Sequence, residues 1–256
     1  MILLVSLAAA AAYLFPLPDA RQFKNKNPST TAYMELRRAQ AAARGKKIKL
    51  DYRWVAYESI SPHLISAVLV AEDEAYYRHH GVDWGQLRQA AAKNIKRRKF
   101  AFGGSTITQQ TARNLYLSPA KNPLRKLKEI LIARKMEKEL GKRRILEIYL
   151  NIAEWGRGLF GAEAAARTYF GKPASALNPE EAAALAAVLP SPRRWNPAAP
   201  GRYVNMRSET ILDRMRRSGY LMDDGENAEY SAEPEIQEPT AQAAPQLSLS
   251  SAPYVN

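Results

Sequence analysis

The stretch Ser61 to Gly81 limits most narrowly what this chain can become, because it reads as an apolar helix that carries one carboxylate in its own buried stripe. Ser61 is an N-cap residue, Pro62 suits the first helical position, and Gly81 is expected to stop the run. With helical spacing, Ile65, Val68, Leu69, Glu72 and Tyr76 share one face, whereas Asp73 and Glu74 are expected to point elsewhere. Glu72, set among apolar carbons, is expected to be partly desolvated, which raises a carboxyl pKa toward the range useful for proton transfer. A stripe-edge carboxylate can equally snorkel or pair with an arginine, so this helix alone leaves both readings open.

Charge narrows the choice of partners. Residues 1–222 carry 38 Lys and Arg against 18 acids, while residues 223–256 carry seven acids and no Lys or Arg. So basic a body suits a polyanion: nucleic acid, anionic lipid headgroups or a pyrophosphate. The acidic end, rich in Glu, Pro, Ala, Gln and Ser, cannot bury enough apolar surface to fold and is read as a disordered tail over 223–256. Cysteine is absent, which excludes disulfides and thiolate metal sites.

Met1 to Leu17 has no charged side chain and closes on Pro16 and Pro18. Ile2 to Leu17 as a helix would span about 24 Å, short of the ~30 Å hydrocarbon core. It reads as a membrane anchor over 1–18 whose beginning is missing, rather than as a signal-peptide core, with Arg21, Lys24 and Lys26 following as interfacial bases. Residues 19–51 then form a linker and a first helix capped by Thr31. Ile48 to Tyr57 alternates enough to be the one plausible strand region.

Beyond the Glu72 helix, Trp84, Leu87, Ala91 and Ile95 are placed on one side of another helix that runs into Lys96-Arg97-Arg98-Lys99. That basic run is either a solvated face or a contact with anionic headgroups. Gly103-Gly104-Ser105-Thr106-Ile107-Thr108-Gln109-Gln110 follows. The glycines permit a sharp turn or close approach to a ligand, and Ser105 or Thr106 can cap the next helix. So many hydroxyls and amides exceed what a cap needs, and they suit a sugar ligand or a buried network that fixes a cleft. Pro123 opens a helix with Glu129 at the edge of its apolar face, and Lys121, Arg125 and Lys126 lie nearby. Helices over Ile145 to Ile152, Gly161 to Phe170, after Asn178-Pro179, and over Val204 to Met215 complete the body. Glu147 and Glu154 read as solvent-facing or salt-bridge residues.

Four ordered blocks resemble the biosynthetic peptidoglycan glycosyltransferases, in their monofunctional, membrane-anchored form. They are Glu72-Asp73-x-x-Tyr76-x-x-His79-x-Gly81; Gly103-Gly104-Ser105-Thr106-Ile107-Thr108-Gln109-Gln110 through Asn114; Arg125-Lys126-x-x-Glu129; and Lys142-x-x-Ile145-Leu146-Glu147-x-Tyr149-Leu150-Asn151. Tyr76 stands where the family usually has Phe, and Arg113 where it usually has Lys. The resemblance, from Tyr52 to Arg217, implies a mainly α, lysozyme-like fold of two lobes around a central cleft over residues 52–222. It implies a catalyst of lipid II polymerisation on the outer, periplasmic side of the bacterial inner membrane. By resemblance Glu72 is the general base and Glu129 acts on the leaving-group side, by protonation or by organising a divalent cation such as Mg or Mn. Arg113, Lys121 and Arg125 hold the pyrophosphate, Ser105 and Gln109 contact substrate, and Asp73, His79, Gly81, Gly104, Thr106, Gln110 and Asn114 are motif residues that shape the site.

No cofactor is required by the residues themselves, and no metal-ligand cluster with defined spacing is present in the sequence. The expected partners are lipid II, the growing glycan strand, the anionic membrane surface, and cell-wall synthesis or division proteins that include a separate transpeptidase; nucleic acid is not expected. A lysozyme-like hydrolase of finished glycan is the rival with the same carboxylates, and a membrane-tethered basic binding module is the rival without chemistry.

Overall fold

The computed structural model describes residues 1–97, 104–119 and 122–221. Gly103, Arg98, Lys99, Lys121 and the acidic tail therefore lie outside the described residues. The described part is mainly α, as expected. Its helices are α1 (Ile2–Leu14), α2 (Ala32–Ala42), α3 (Pro62–Glu72), α4 (Trp84–Arg97), α5 (Ile107–Tyr116), α6 (Pro123–Glu139), α7 (Lys142–Ile152), α8 (Ala162–Phe170), α9 (Pro179–Val188) and α10 (Arg202–Arg217). The expected strand region shrinks to β1 (Asp51–Tyr52), which pairs parallel to β3 (Leu159–Phe160). β3 in turn pairs antiparallel to β2 (Glu154–Gly156), giving the order β1-β3-β2.

α3 is the axis of the core. It packs on α9 and α10, while α5 packs on α6 and α7. Leu64, Ser66, Ala67, Val68, Leu69 and Val70 are all buried, so the helix is enclosed nearly all round rather than along one stripe. Ser61 accepts from the His63 N–H and Pro62 is the first helical residue, as the spacing predicts. The end differs. α3 stops at Glu72 and not at Gly81, because Asp73 leaves the helical region (φ −162°) and turns its carboxylate toward α5. Tyr76 is consequently on a separate short 3-10 turn, Tyr76–Arg78, though it is fully buried.

Gly81 follows with φ +84°, and a Cβ there would meet Glu137 Cγ at 3.0 Å and the Ala133 carbonyl oxygen at 3.1 Å. Only glycine combines that backbone with that proximity. Gly81→Ala is expected to destabilise the protein by about 1–3 kcal/mol, which a thermal melt reads as a drop on the order of 5 °C. An unchanged melting temperature would show that α6 yields without cost.

Two expectations about the periphery change. The predicted inward side of α4 faces out: Trp84 is 54% and Ile95 77% exposed, and Ala91 is exposed as well. α1 ends at Leu14 with 13 residues, and no helix among the described residues is long and apolar enough to cross a membrane. Leu4, Val5 and Leu7 on it are exposed, and it rests on α6, where the Lys128 ammonium donates to the Tyr13 carbonyl at 2.6 Å.

Candidate active site

Glu72 ends α3, and two neighbouring elements close over its carboxylate. From α5, Gln110 Nε2 donates to Glu72 Oε2 at 2.9 Å; from α10, Arg207 Nη2 lies 3.6 Å from Oε1. The Tyr149 hydroxyl on α7 donates to Gln110 Oε1 at 3.3 Å, which orients the amide so that its nitrogen faces the carboxylate. The Glu72 side chain is 13% exposed. Burial pushes its pKa above the ordinary glutamate range, and the Gln110 hydrogen bond and the charges of Arg207 and Arg113 pull part of the way back. Tyr149 is raised well above the usual phenol range by burial and then by Glu72, so it stays a proton donor.

Asp73 does not point away from this centre. It is more deeply buried than Glu72, accepting from the Ile107 N–H at 2.9 Å and meeting His79 Nε2 at 3.0 Å. The carboxylate next to Glu72 thus pins the first residue of α5, and Gln110 sits one turn further along the same helix. Glu74 is the outward member of the acidic triplet, paired with Arg214 at 2.8 Å.

The hydroxyl and amide run is mostly a buried network, the second of the two readings the sequence allowed. Thr106 caps α5 and Gln109 completes a capping box by accepting from the Thr106 N–H. Gln109, expected to contact substrate, is wholly buried in that task and is not among the residues that line the cavity. Thr106 also donates to the Gly81 carbonyl at 2.7 Å and Thr108 to Glu137 at 2.6 Å. Gly104 makes a close approach, but to α4: a Cβ there would lie 3.2 Å from the Leu87 Cα. Ser105 accepts from Lys126 Nζ at 2.7 Å rather than facing open space.

Glu129 is not at the edge of an apolar face. It is fully buried, with one oxygen 2.5 Å from Arg125 Nη1 and the other 2.5 Å from Lys126 Nζ. Lys126 links it through Ser105 to the start of α5, so the surroundings of both glutamates converge on that helix.

On the far side of Gln110 from Glu72 is a cavity of about 640 Å³, lined by Gln110, Arg113, Asn114 and Tyr149 together with Tyr33, Arg37, Glu154, Arg157 and residues 189–194; Glu72 reaches it through Gln110 and does not line it. Of the expected pyrophosphate cations, Arg113 lines the cavity and Arg125 is engaged with Glu129; Lys121 is outside the described residues. Sequence reasoning missed Arg207, Arg157, Arg193 and Arg194. Arg207 is one of several arginines on α10, and only the packing of that helix on α3 singles it out. Glu154 is the salt-bridge residue expected, held by Arg37 at 2.6 Å.

A family model described as Transglycosylase matches residues 40–216. The biosynthetic peptidoglycan transglycosylase of Nitrosospira multiformis is 47% identical over 189 residues, covering 74% of this chain and 82% of that protein. That of Aromatoleum aromaticum is 50% identical over 169 residues (66% and 74%), and that of Rhodospirillum centenum 47% over 195 residues (75% and 82%). Because the match spans the helices that carry Glu72, Gln110, Glu129 and Arg207 alike, the chain belongs to the transglycosylase family.

Proposed function

We propose that this protein is a peptidoglycan glycosyltransferase that polymerises lipid II into β-1,4-linked glycan in a lysozyme-like cleft, with Glu72 as its general base. One observation carries this reading: the desolvated carboxylate of Glu72, paired with Arg207, accepts a hydrogen bond from Gln110, and Gln110 lines an arginine-rich cavity. Glu72 takes the proton of the acceptor GlcNAc 4-hydroxyl as that oxygen attacks the anomeric carbon of the lipid-linked MurNAc. The bond from that carbon to the pyrophosphate breaks on the opposite face, so configuration inverts and undecaprenyl pyrophosphate departs. A raised pKa makes Glu72 a better proton acceptor, and the nearby arginines oppose part of the rise that burial causes. Charge that develops on the leaving pyrophosphate is met by fixed cations, among which Arg113 lines the cavity.

The residues do not fit a divalent cation at Glu129. Both of its oxygens already face cationic donors, and among the described residues no group of three His, Asp or Glu side chains is placed to hold a metal. No step here is routed through one. Glu129 instead positions Arg125 and Lys126, the latter bound to Ser105 at the head of α5.

The enzyme is placed at the outer face of the cytoplasmic membrane. The exposed apolar residues of α1, with Leu124 and Leu127 on α6 and Trp84 and Ile95 on α4, support contact with a lipid surface. Peptide cross-linking is assigned to a separate transpeptidase.

Incubation of purified protein with lipid II is expected to yield glycan polymer; release of fragments from finished glycan with no polymer would favour the hydrolase instead. Arg207 supplies a second test. Removing its charge lifts the Glu72 pKa further, so in Arg207→Gln the acidic limb of the pH profile of kcat/KM moves to higher pH. At neutral pH kcat/KM falls on the order of tenfold. A limb that stays in place would show that Arg207 does not act on Glu72.

A further inference from the structure

The cavity holds more cationic charge than its own carboxylates balance. Five arginines line it (Arg37, Arg113, Arg157, Arg193 and Arg194) against one glutamate, Glu154, a net of four positive charges. Arg37 is the partner of Glu154. Arg113, Arg157 and Arg193 have no carboxylate partner among the described residues, and the Arg194 guanidinium lies 4.6 Å from the centre of the Trp195 ring. Trp195 is stacked on Tyr203 of α10 at 4.8 Å, which ties the segment after α9 to a helix. Like charges held together in a shared concavity repel, and an anionic ligand relieves that repulsion.

Arg113 belongs to the reacting centre: it is on α5 with Gln110, and its charge acts on Glu72. The other three unbalanced arginines come from elsewhere, Arg157 from the turn between β2 and β3 and Arg193 and Arg194 from the segment after α9. Guanidinium groups match carboxylates in planar, two-point hydrogen bonds. Lipid II carries, besides its pyrophosphate, a peptide on the lactyl ether of MurNAc, and that peptide has free carboxylates.

We propose that Arg157, Arg193 and Arg194 form a binding site for the carboxylates of this peptide, so that the enzyme reads the acidic side branch of the glycan as well as its sugars. The inference rests on the glycosyltransferase reading and deepens it by naming a determinant of specificity. It predicts that substrate acidity at a position remote from the bond being made controls KM more than kcat.

The test uses two preparations of lipid II that differ only in the peptide: one with free carboxylates, one with the same carboxylates converted to primary amides. Polymerisation by the unaltered protein is expected to show a KM on the order of tenfold higher for the amidated form, with kcat close to equal. In the triple variant Arg157→Gln, Arg193→Gln, Arg194→Gln that ratio is expected to collapse toward one, because KM for the carboxylate form rises. Arg193→Gln alone is expected to narrow the ratio, a readout that stands if the triple variant fails to fold. Equal KM for both substrates in the unaltered protein overturns the peptide site alone. So does an equal rise in KM for both substrates in the variants, since the arginines then serve the pyrophosphate or the sugars. Polymer from neither substrate overturns the glycosyltransferase reading and the peptide site with it.

Discussion

Glu72→Gln is expected to abolish glycan polymerisation, lowering the initial rate on lipid II by about 10²–10⁴-fold, while the melting temperature at neutral pH holds or rises. The amide keeps the shape of the side chain and its hydrogen bond with Gln110, so α3, α5 and α10 have no reason to move. What is lost is the basic carboxylate that accepts the proton. The rise in stability follows from linkage. Burial holds a proton on Glu72 to higher pH in the folded protein than in the unfolded chain. The folded state therefore binds more protons across that window, and stability falls as pH climbs from the ordinary carboxylate range through the raised value. Replacement by Gln removes that loss, so the variant's advantage is expected at neutral pH and to vanish in acid. Polymer formation by Glu72→Gln at more than a tenth of the normal rate would mean that another group takes the proton.

The second large effect is structural. Glu129→Ala leaves the Arg125 and Lys126 charges facing a buried hole, since Glu129 is wholly inaccessible and the Arg125 side chain is only 11% exposed. Breaking a buried ion cluster on one side costs about 3–5 kcal/mol, a fall in melting temperature on the order of 10 °C. Activity is expected to vanish together with the ordered start of α5. The combination Arg125→Leu, Lys126→Met, Glu129→Met separates the two losses, because an apolar cluster of similar volume restores stability without restoring charge. Its melting temperature is expected near that of the unaltered protein, with no polymer. Recovery of polymerisation in that combination would show that the three side chains serve packing only.

Most helix starts were legible because local chemistry dictates them. Ser61-Pro62, Asn122-Pro123 and Asn178-Pro179 each place a capping side chain before a residue without an N–H, and each opens a helix where expected. Helix α3 was misjudged at its far end, since nothing within Glu72 to Gly81 shows that Asp73 will be claimed by the Ile107 N–H. The same long-range accounting hid the depth of Glu129, which by periodicity belongs at an edge and by its two cationic partners belongs inside. On α4 the apolar stripe reads as a core face yet is exposed, because periodicity reports amphipathic character and not what covers it. Of the centre itself, Glu72, Arg113, Gln110 and Asn114 were visible in the motifs. Arg207 was not, being one cation in a basic helix with no local mark of its partner.

The docking of α10 on α3 and α9 has a bearing on how the protein is made. Ribosomes deliver α3 long before α10, so a nascent chain exposes Glu72 without its guanidinium neighbour. Until α10 seats, that acid lacks the arginine whose charge opposes the effect of burial on its pKa. The surroundings of Glu72 are thus completed late, when α10 packs on α3 and α9.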